Sequence, residues 1–297
     1  MEVPLPGTVY RPDHPFTAQV LSNTGLVGPG GLGTVQHITF DIAGSGLLIE
    51  EGQSIGILAP GHTPDGRRHK LRLYSVASTR LGDRFDGHTT SLCVRHLTYE
   101  IDGQPHEGIC SSYLCRLAPG ETVAITGPVG RILLLPDDPA ADLLFIATGT
   151  GIAPFRAHLR RLFHPEERAR RPEEPPFTGR VSLFFGTTQQ ANLLYCDELQ
   201  AIQRAHADQI DLICALSREE QAPEGGRLYV QHRIAEQADA LLDRLQGPNA
   251  FVFLCGLRGM EEGIAATLAA AAQRRDLDWN ALFAQLRREK RWRVEVY

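Results

Sequence analysis

Leu143-Leu144-Phe145-Ile146-Ala147-Thr148-Gly149-Thr150-Gly151-Ile152-Ala153-Pro154-Phe155-Arg156 is the stretch around which the chain is organised. The apolar run Leu143 to Ile146 reads as a buried parallel strand, and Phe155 to Phe163 carries helix-like apolar spacing. The glycines between them allow a tight turn and a close backbone approach. A strand running through such a turn into a helix presents unpaired N–H groups and the positive end of the helix dipole to an anion. A G-x-G turn alone also serves as a plain strand–helix connection.

The flanks differ in periodicity. Before Pro136-Asp137-Asp138-Pro139, short alternating or apolar runs recur at Phe16–Leu21, Val35–Asp41, Ser54–Leu58, Leu71–Val76, Ser91–Thr98 and Thr122–Thr126. Gly28-Pro29-Gly30-Gly31, Gly44-Ser45-Gly46 and Pro60-Gly61 punctuate them. That pattern predicts a small antiparallel barrel. After the punctuation strands alternate with helices. Strands are expected at Leu143–Ala147, Val181–Gly186, Ile210–Leu216 and Phe251–Cys255. Helices are expected from Phe155 to Phe163, near Asn192–Arg204, near Val230–Leu245 and over Met260–Arg274. This is the rhythm of a doubly wound parallel sheet. Pro165 to Pro176, charged and proline-rich, reads as a surface loop. The predicted division is 1–137 and 138–297.

A length of 297 residues suits two domains. A hydrophobic share of 42% with 22% charged residues is an ordinary globular balance, and a net charge of −5 argues against a general nucleic-acid binder. Only Lys70 and Lys290 are lysines, so the basic surface is nearly all arginine. No apolar run approaches the roughly 20 residues of a membrane span, and Met1 to Pro6 lacks signal-peptide character. The cysteines 93, 110, 115, 196, 214 and 255 form no C-x-x-C pair, so no zinc or iron–sulfur framework is expected, and a reducing cytoplasm is the default.

Eight motifs carry a family resemblance. They are Arg72-Leu73-Tyr74-Ser75, Gly108-Ile109-Cys110-Ser111-Ser112-Tyr113-Leu114-Cys115, Gly127-Pro128-Val129-Gly130 and Gly149-Thr150-Gly151-Ile152-Ala153-Pro154-Phe155-Arg156. Ser217-Arg218-Glu219, Tyr229-Val230-Gln231, Cys255-Gly256-Leu257-Arg258-Gly259-Met260-Glu261 and Trp292-Arg293-Val294-Glu295-Val296-Tyr297 follow in order. In one register from about Tyr10 to Tyr297, the chain resembles plant-type ferredoxin–NADP reductase. The resemblance implies an antiparallel FAD-binding β-barrel domain followed by a doubly wound parallel-sheet NADP-binding α/β domain.

Arginine offers a bidentate fork for a pyrophosphate and tyrosine a flat ring for stacking, although Arg72-Leu73-Tyr74-Ser75 alone also reads as an ordinary amphipathic strand. The resemblance implies FAD contacts at Arg72, Leu73, Tyr74 and Ser75, and adenosine-side contacts at Cys93, Val94 and Arg95. It places Tyr99 on adenine, Ile109, Cys110 and Ser111 on the pyrophosphate, and Thr150 and Tyr297 at the flavin. A barrel has few helix termini, so backbone and hydroxyl donors are expected to serve the pyrophosphate. Cys110 and Cys115 also read as small packing residues.

For NADP the resemblance implies Thr148, Thr150, Gly151, Thr187, Thr188, Gln231, Gly256, Leu257 and Glu295, with Ser217, Arg218, Arg227 and Tyr229 around the 2′-phosphate and adenine. Arginine rather than an acidic residue after the relevant strand favours NADP over NAD. Glu219 would repel the phosphate if it pointed inward, and Arg227 also reads as hydrated surface. The family commonly has lysine where Arg227 stands, and often a proline after the glycine of Gly186-Thr187-Thr188.

Ser75, Cys255, Glu295 and Tyr297 are the implied catalytic residues, with Ser75 and Glu295 paired at the flavin edge and Tyr297 over the face that nicotinamide must use. A terminal aromatic otherwise serves as a packing anchor. The implied activity is FAD-dependent electron transfer between ferredoxin, or a similar acidic one-electron carrier, and NADP(H), with hydride passing between flavin N5 and nicotinamide C4. Arg67-Arg68-His69-Lys70, Arg287-Arg288 and Lys290-Arg291 are candidates for steering the carrier, though charge runs also merely solubilise. A monomer without nucleic-acid partner is expected, cytoplasmic, with peripheral association to a photosynthetic membrane left open. The alternatives are an NADPH-oxidising component feeding an oxygenase or other separate acceptor, and a nucleotide-binding redox sensor without turnover; the four catalytic residues together disfavour the sensor.

Overall fold

The computed structural model describes residues 7–297, so Met1 to Pro6 lie outside the described residues. The first half holds β1 (Phe16–Gly25), β2 (Val35–Asp41), β3 (Ser54–Leu58), β4 (Arg72–Ser75), β5 (Thr89–Arg95), β6 (Thr98–Ile101), β7 (Gln104–Glu107), α1 (Ile109–Arg116) and β8 (Thr122–Val129). Six of the strands form one antiparallel sheet in the order β4-β3-β8-β1-β2-β5. Val76, just past β4, bridges Leu92 of β5 and brings the two sheet edges together. The inward rows Ala18/Val20, Ile38/Phe40, Ile55/Ile57 and Val123/Ile125 fill the barrel, and α1 adds Cys110 and Leu114 to that core.

The second half holds β9 (Asp142–Thr148), a 3-10 turn (Gly149–Ile152), α2 (Ala153–Phe163), α3 (Pro165–Ala169), β10 (Arg180–Thr187), a second 3-10 turn (Gln190–Asn192), α4 (Cys196–Ala205) and β11 (Ile210–Leu216). Then come α5 (Val230–Glu236), α6 (Ala238–Gln246), β12 (Ala250–Gly256), α7 (Met260–Arg274), α8 (Trp279–Arg288) and β13 (Trp292–Val296). The sheet is parallel throughout, in the order β11-β10-β9-β12-β13. Both faces are covered: Leu143, Phe145 and Ala147 of β9 join one apolar core, while Leu144 and Ile146 join the other. The strand order turns back beside β9, which opens a crevice at the carboxyl ends of β9 and β12, where sheets of this kind hold ligands.

The expected fold is therefore the observed one, with local corrections. The helix expected near Asn192–Arg204 begins only at Cys196, because Tyr195 takes a left-handed φ of 58°. The helix expected near Val230–Leu245 is two helices, interrupted at Gln237 (φ −117°, ψ 9°). Pro165 to Pro176 is not simply a surface loop: it contains α3, and Glu167 and Arg171 are buried. The hairpin β6–β7 and helices α1 and α8 escaped the periodicity argument.

Candidate active site

The turn after β9 and the end of β12 are locked together. A Cβ on Gly151 would strike the carbonyl of Cys255, and one on Gly256 (φ 148°) would strike the Thr148 hydroxyl. The Leu257 N–H donates to that hydroxyl at 2.9 Å. Arg156, the last residue of the opening stretch, is buried and not free for a ligand. It donates to the Ala77 carbonyl at 2.7 Å, to Asp83 at 2.9 Å and to Glu198 at 2.6 Å, tying the barrel to the α/β half.

Two cross-strand pairs meet at this seam. Ser54 lies opposite Ser75 across β3–β4, and Cys255 lies opposite Glu295 across β12–β13. The Ser54 hydroxyl donates to Glu295 Oε1 at 3.3 Å. Ser75 lies by the buried Cys255 thiol, and the hydroxyl that reaches Glu295 is that of Ser54. Burial raises the Glu295 carboxyl above its ordinary value, opposed by the Ser54 hydrogen bond. Burial, with the Glu295 charge beside it, pushes the Cys255 thiol well up, opposed by Ser75. Sequence reading missed Ser54, a residue with no local signal beyond its place at the start of a strand.

Tyr297 closes the seam. The residue is 55% exposed, but its hydroxyl lies 2.7 Å from Thr150 Oγ1, and its N–H donates to the Gly256 carbonyl at 3.0 Å. Burial of that hydroxyl pushes its pKa up to about 12. Tyr74 is half-buried against Cys110, while Arg72 and Leu73 stand exposed on β4.

Ile109, Cys110 and Ser111 are the first turn of α1. Its early amides lack intrahelical acceptors, as at any helix start, and no side chain caps them. Here the Ser111 hydroxyl donates to the Gly108 carbonyl at 3.0 Å and holds the Leu97 N–H at 3.2 Å. Tyr99 is exposed on the β6–β7 hairpin, stacked on His106 with centroids 5.7 Å apart. Cys93 and Val94 turn their side chains into the core, so only their backbone can meet a ligand, whereas Arg95 is exposed. Cys115 is half-buried, its thiol on the Val94 carbonyl at 3.7 Å.

At the ends of β10 and β11 the Ser217 N–H donates to the Thr187 carbonyl at 2.9 Å and the Arg218 N–H to the Thr188 carbonyl at 2.7 Å. The Thr187 hydroxyl is committed to the Asn192 carbonyl at 3.1 Å, but Thr188 Oγ1 is buried with no partner among the described residues. Glu219 is tethered to the Gln190 N–H at 3.0 Å, and Glu220 is paired with Arg233. Arg218 and Arg227 are exposed and make no ion pair among the described residues, and Tyr229, two residues after Arg227, is exposed as well. Gln231 packs on Gly263 of α7. Among the described residues no cluster of His, Cys, Asp or Glu could hold a metal.

The basic clusters divide. Arg131, Arg287, Lys290 and Arg293 line one groove with Ile132 and Trp292. Arg291 does not belong there: it is buried and donates to the carbonyls of Leu245, Gly247 and Ala250.

The oxidoreductase NAD-binding domain family matches residues 145–266. Over the whole length, the ferredoxin–NADP reductase of Spirulina sp is 48% identical across 295 residues, 99% of each chain. The chain belongs to the ferredoxin–NADP reductase family. The Thermosynechococcus vestitus member of that family is 50% identical over 100% of this chain and 76% of its own, and leaf isozyme 1 of Arabidopsis thaliana, a chloroplastic reductase, 41% over 97% and 79%. Among solved structures, the Plasmodium falciparum ferredoxin–NADP+ reductase superposes with a TM-score of 0.75 at 23% identity, over 97% of this chain and 98% of its own. That likeness establishes a shared reductase fold, and a mutant of the Plasmodium reductase was crystallised with 2′P-AMP.

Proposed function

We propose that the protein transfers electrons between ferredoxin and NADP(H) through bound FAD. Residues 1–137 hold FAD and 138–297 hold NADP(H), the antiparallel sheet ending at Val129 and the parallel one starting at Asp142. The observation that carries this reading is the meeting of Ser54/Ser75 with Cys255/Glu295 beneath Tyr297, at the sheet crevice. A plain nucleotide-binding module needs no such buried acid, thiol and hydroxyls at a domain seam.

The residues present fit both cofactors. The uncapped start of α1 at Ile109 to Ser111, with Arg72, suits the FAD pyrophosphate, and Tyr99 offers its exposed ring to adenine. Tyr74 and Tyr297 supply rings for the flavin. On the other half, Thr148, Thr150, Gly151, Gly256 and Leu257 hold the nicotinamide side, and Ser217, Arg218, Arg227 and Tyr229 the phosphorylated adenosine, with the orphaned Thr188 hydroxyl and Gln231 nearby. Bound FAD supplies hydride chemistry toward nicotinamide and single-electron chemistry toward the carrier. The chain's own residues orient the rings and exclude water. Burial raises the Glu295 carboxyl above its ordinary value, and the Ser54 hydroxyl donates to it at 3.3 Å, which holds the acid at the seam.

The carrier docks on the basic groove of Arg131, Arg287 and Lys290. No helix among the described residues is long and apolar enough to cross a membrane; we place the protein in the cytoplasm, as a monomer acting without nucleic acid. The deciding experiment is purification with FAD, then NADPH-driven reduction of a one-electron dye and of ferredoxin. The expected protein is yellow and reduces both. Failure to retain flavin would overturn the proposal, and dye reduction without ferredoxin turnover would point to a different acceptor.

A further inference from the structure

We propose that His232 is a positioning residue that sets the preference for 2′-phosphorylated adenosine, by tying the Tyr229 ring to the loop that carries Arg227. The inference rests on the nucleotide site proposed above. His232 is the third residue of α5, and its Nδ1 accepts the Tyr229 N–H at 2.8 Å. Its ring stacks on Tyr229 with centroids 6.1 Å apart and planes 26° from parallel. Its Nε2 lies 3.1 Å from Glu224 Oε1. One neutral tautomer satisfies both bonds: Nδ1 accepts, so Nε2 carries the proton and donates to the carboxylate.

What the bond to Glu224 restrains matters for the phosphate. Glu224 precedes Gly225 (φ 90°) and Gly226 (φ 81°), two residues in the left-handed region, and Arg227 follows directly. Backbone bonds close this turn, Gly225 N–H to the Ala222 carbonyl at 2.9 Å and Ala222 N–H to the Gly226 carbonyl at 3.2 Å. The side-chain tether from the turn to α5 runs through Glu224 and His232. Arg227 has no ion pair of its own among the described residues, so its reach follows the turn. His232 backs one side of the Tyr229 ring and leaves the rest, 44% of the residue's surface, exposed for an adenine. The same tether holds the Glu224 carboxylate on an N–H donor, so that its charge is partly satisfied near the phosphate.

A histidine at this position also serves as an ordinary helix cap, and the test separates the two roles. The FAD-loaded full chain is titrated with 2′-phospho-AMP and with 5′-AMP. His232→Phe keeps a stacking ring and removes both hydrogen bonds. It is expected to weaken 2′-phospho-AMP about three- to ten-fold, the scale of one or two modest hydrogen bonds, and 5′-AMP by less than about two-fold. The KM for NADPH should rise by a similar factor with kcat at saturation retained. Glu224→Gln and Glu224→Ala both remove the charge, but only glutamine can still accept from Nε2, so the alanine variant should bind 2′-phospho-AMP more weakly than the glutamine one. If His232→Phe weakens both nucleotides equally or neither, while Arg227→Ala weakens 2′-phospho-AMP alone, His232 is only a cap and the inference falls. If neither Arg218→Ala nor Arg227→Ala affects 2′-phospho-AMP, the nucleotide site is misplaced and the inference falls with it.

Discussion

Tyr297 shows how one side chain can hold two contrary roles. Its hydroxyl on Thr150 and its amide on Gly256 fix the ring across the seam, while the residue stays 55% exposed. In the proposed site, a ring fixed there would compete with nicotinamide for the flavin. Tyr297→Ser is expected to tighten NADP+ by about ten-fold or more, since base–aromatic stacking is worth about 1–3 kcal/mol. Turnover should fall nonetheless, because a ground-state complex held too tightly gains nothing toward the transition state. Tyr297→Phe should keep most activity. The measurement is nucleotide titration by flavin absorbance alongside steady-state turnover; unchanged affinity in Tyr297→Ser would make the tyrosine a packing anchor. A second residue, His158, is fully buried between Phe145 and Phe253, its Nε2 on the Leu133 carbonyl at 2.8 Å, and burial lowers its pKa from 6.5 to about 4. Its folded pKa is depressed, so its contribution is present above pH 6.5 and is lost as pH falls toward 4. On the order of 3 kcal/mol is at stake. His158→Gln should flatten that part of the curve in urea unfolding followed from pH 7 to pH 4; parallel curves for parent and variant would refute it.

Among the elements, the charged segment after α2 reads in sequence as a surface loop, yet it forms a buried ion cluster against the barrel. Glu51, ahead of β3, accepts from the Arg80 N–H at 2.6 Å, from Arg171 at 2.7 Å and from Arg161 at 3.2 Å. Glu167 accepts from Thr79 at 2.7 Å and from Arg171 at 2.8 Å, and Arg171 also reaches Glu174 at 3.0 Å. Glu51, Glu167 and Arg171 are each no more than 1% exposed, so any one left without its partners would be a buried charge. Glu51→Ala is expected to cost about 3–5 kcal/mol, the range for breaking a buried pair. Chemical denaturation reads it, and a loss below about 1 kcal/mol would mean that water or repacking compensates. Because Glu51 lies three residues before Ser54, the same change should also lower hydride transfer more than it lowers FAD retention.

On the scale of the whole molecule, a net charge of −5 coexists with a groove bearing Arg131, Arg287, Lys290 and Arg293. The balance is local: Glu261 is the acidic residue lining that groove, and it is engaged by the Trp292 indole N–H at 3.0 Å. An acidic carrier steered by this groove should show turnover that falls steeply with ionic strength, since exposed charges are screened over about 8–10 Å at physiological salt. NADPH-driven dye reduction should change far less over the same range. An equal salt response of both reactions would place the effect at the nucleotide site and remove the docking role of the groove.

What the sequence by itself determined is whatever repeats over a few residues. The apolar run and glycines from Leu143 to Arg156, the switch of periodicity near Pro136 and the ordered motifs specified two sheets and their order, because period and turn chemistry are local. The tertiary structure alone decided which side chains meet. Ser54 and Glu295 are 241 residues apart, and nothing in either neighbourhood names the other. Pairing of Ser75 with Cys255 follows from the docking of one sheet on the other, and the burial of Glu51, Glu167, Arg171 and Arg291 follows from compensating partners that composition cannot reveal. Hydrophobic pattern therefore predicts the elements well, whereas buried polar contacts depend on long-range geometry that only the folded chain supplies.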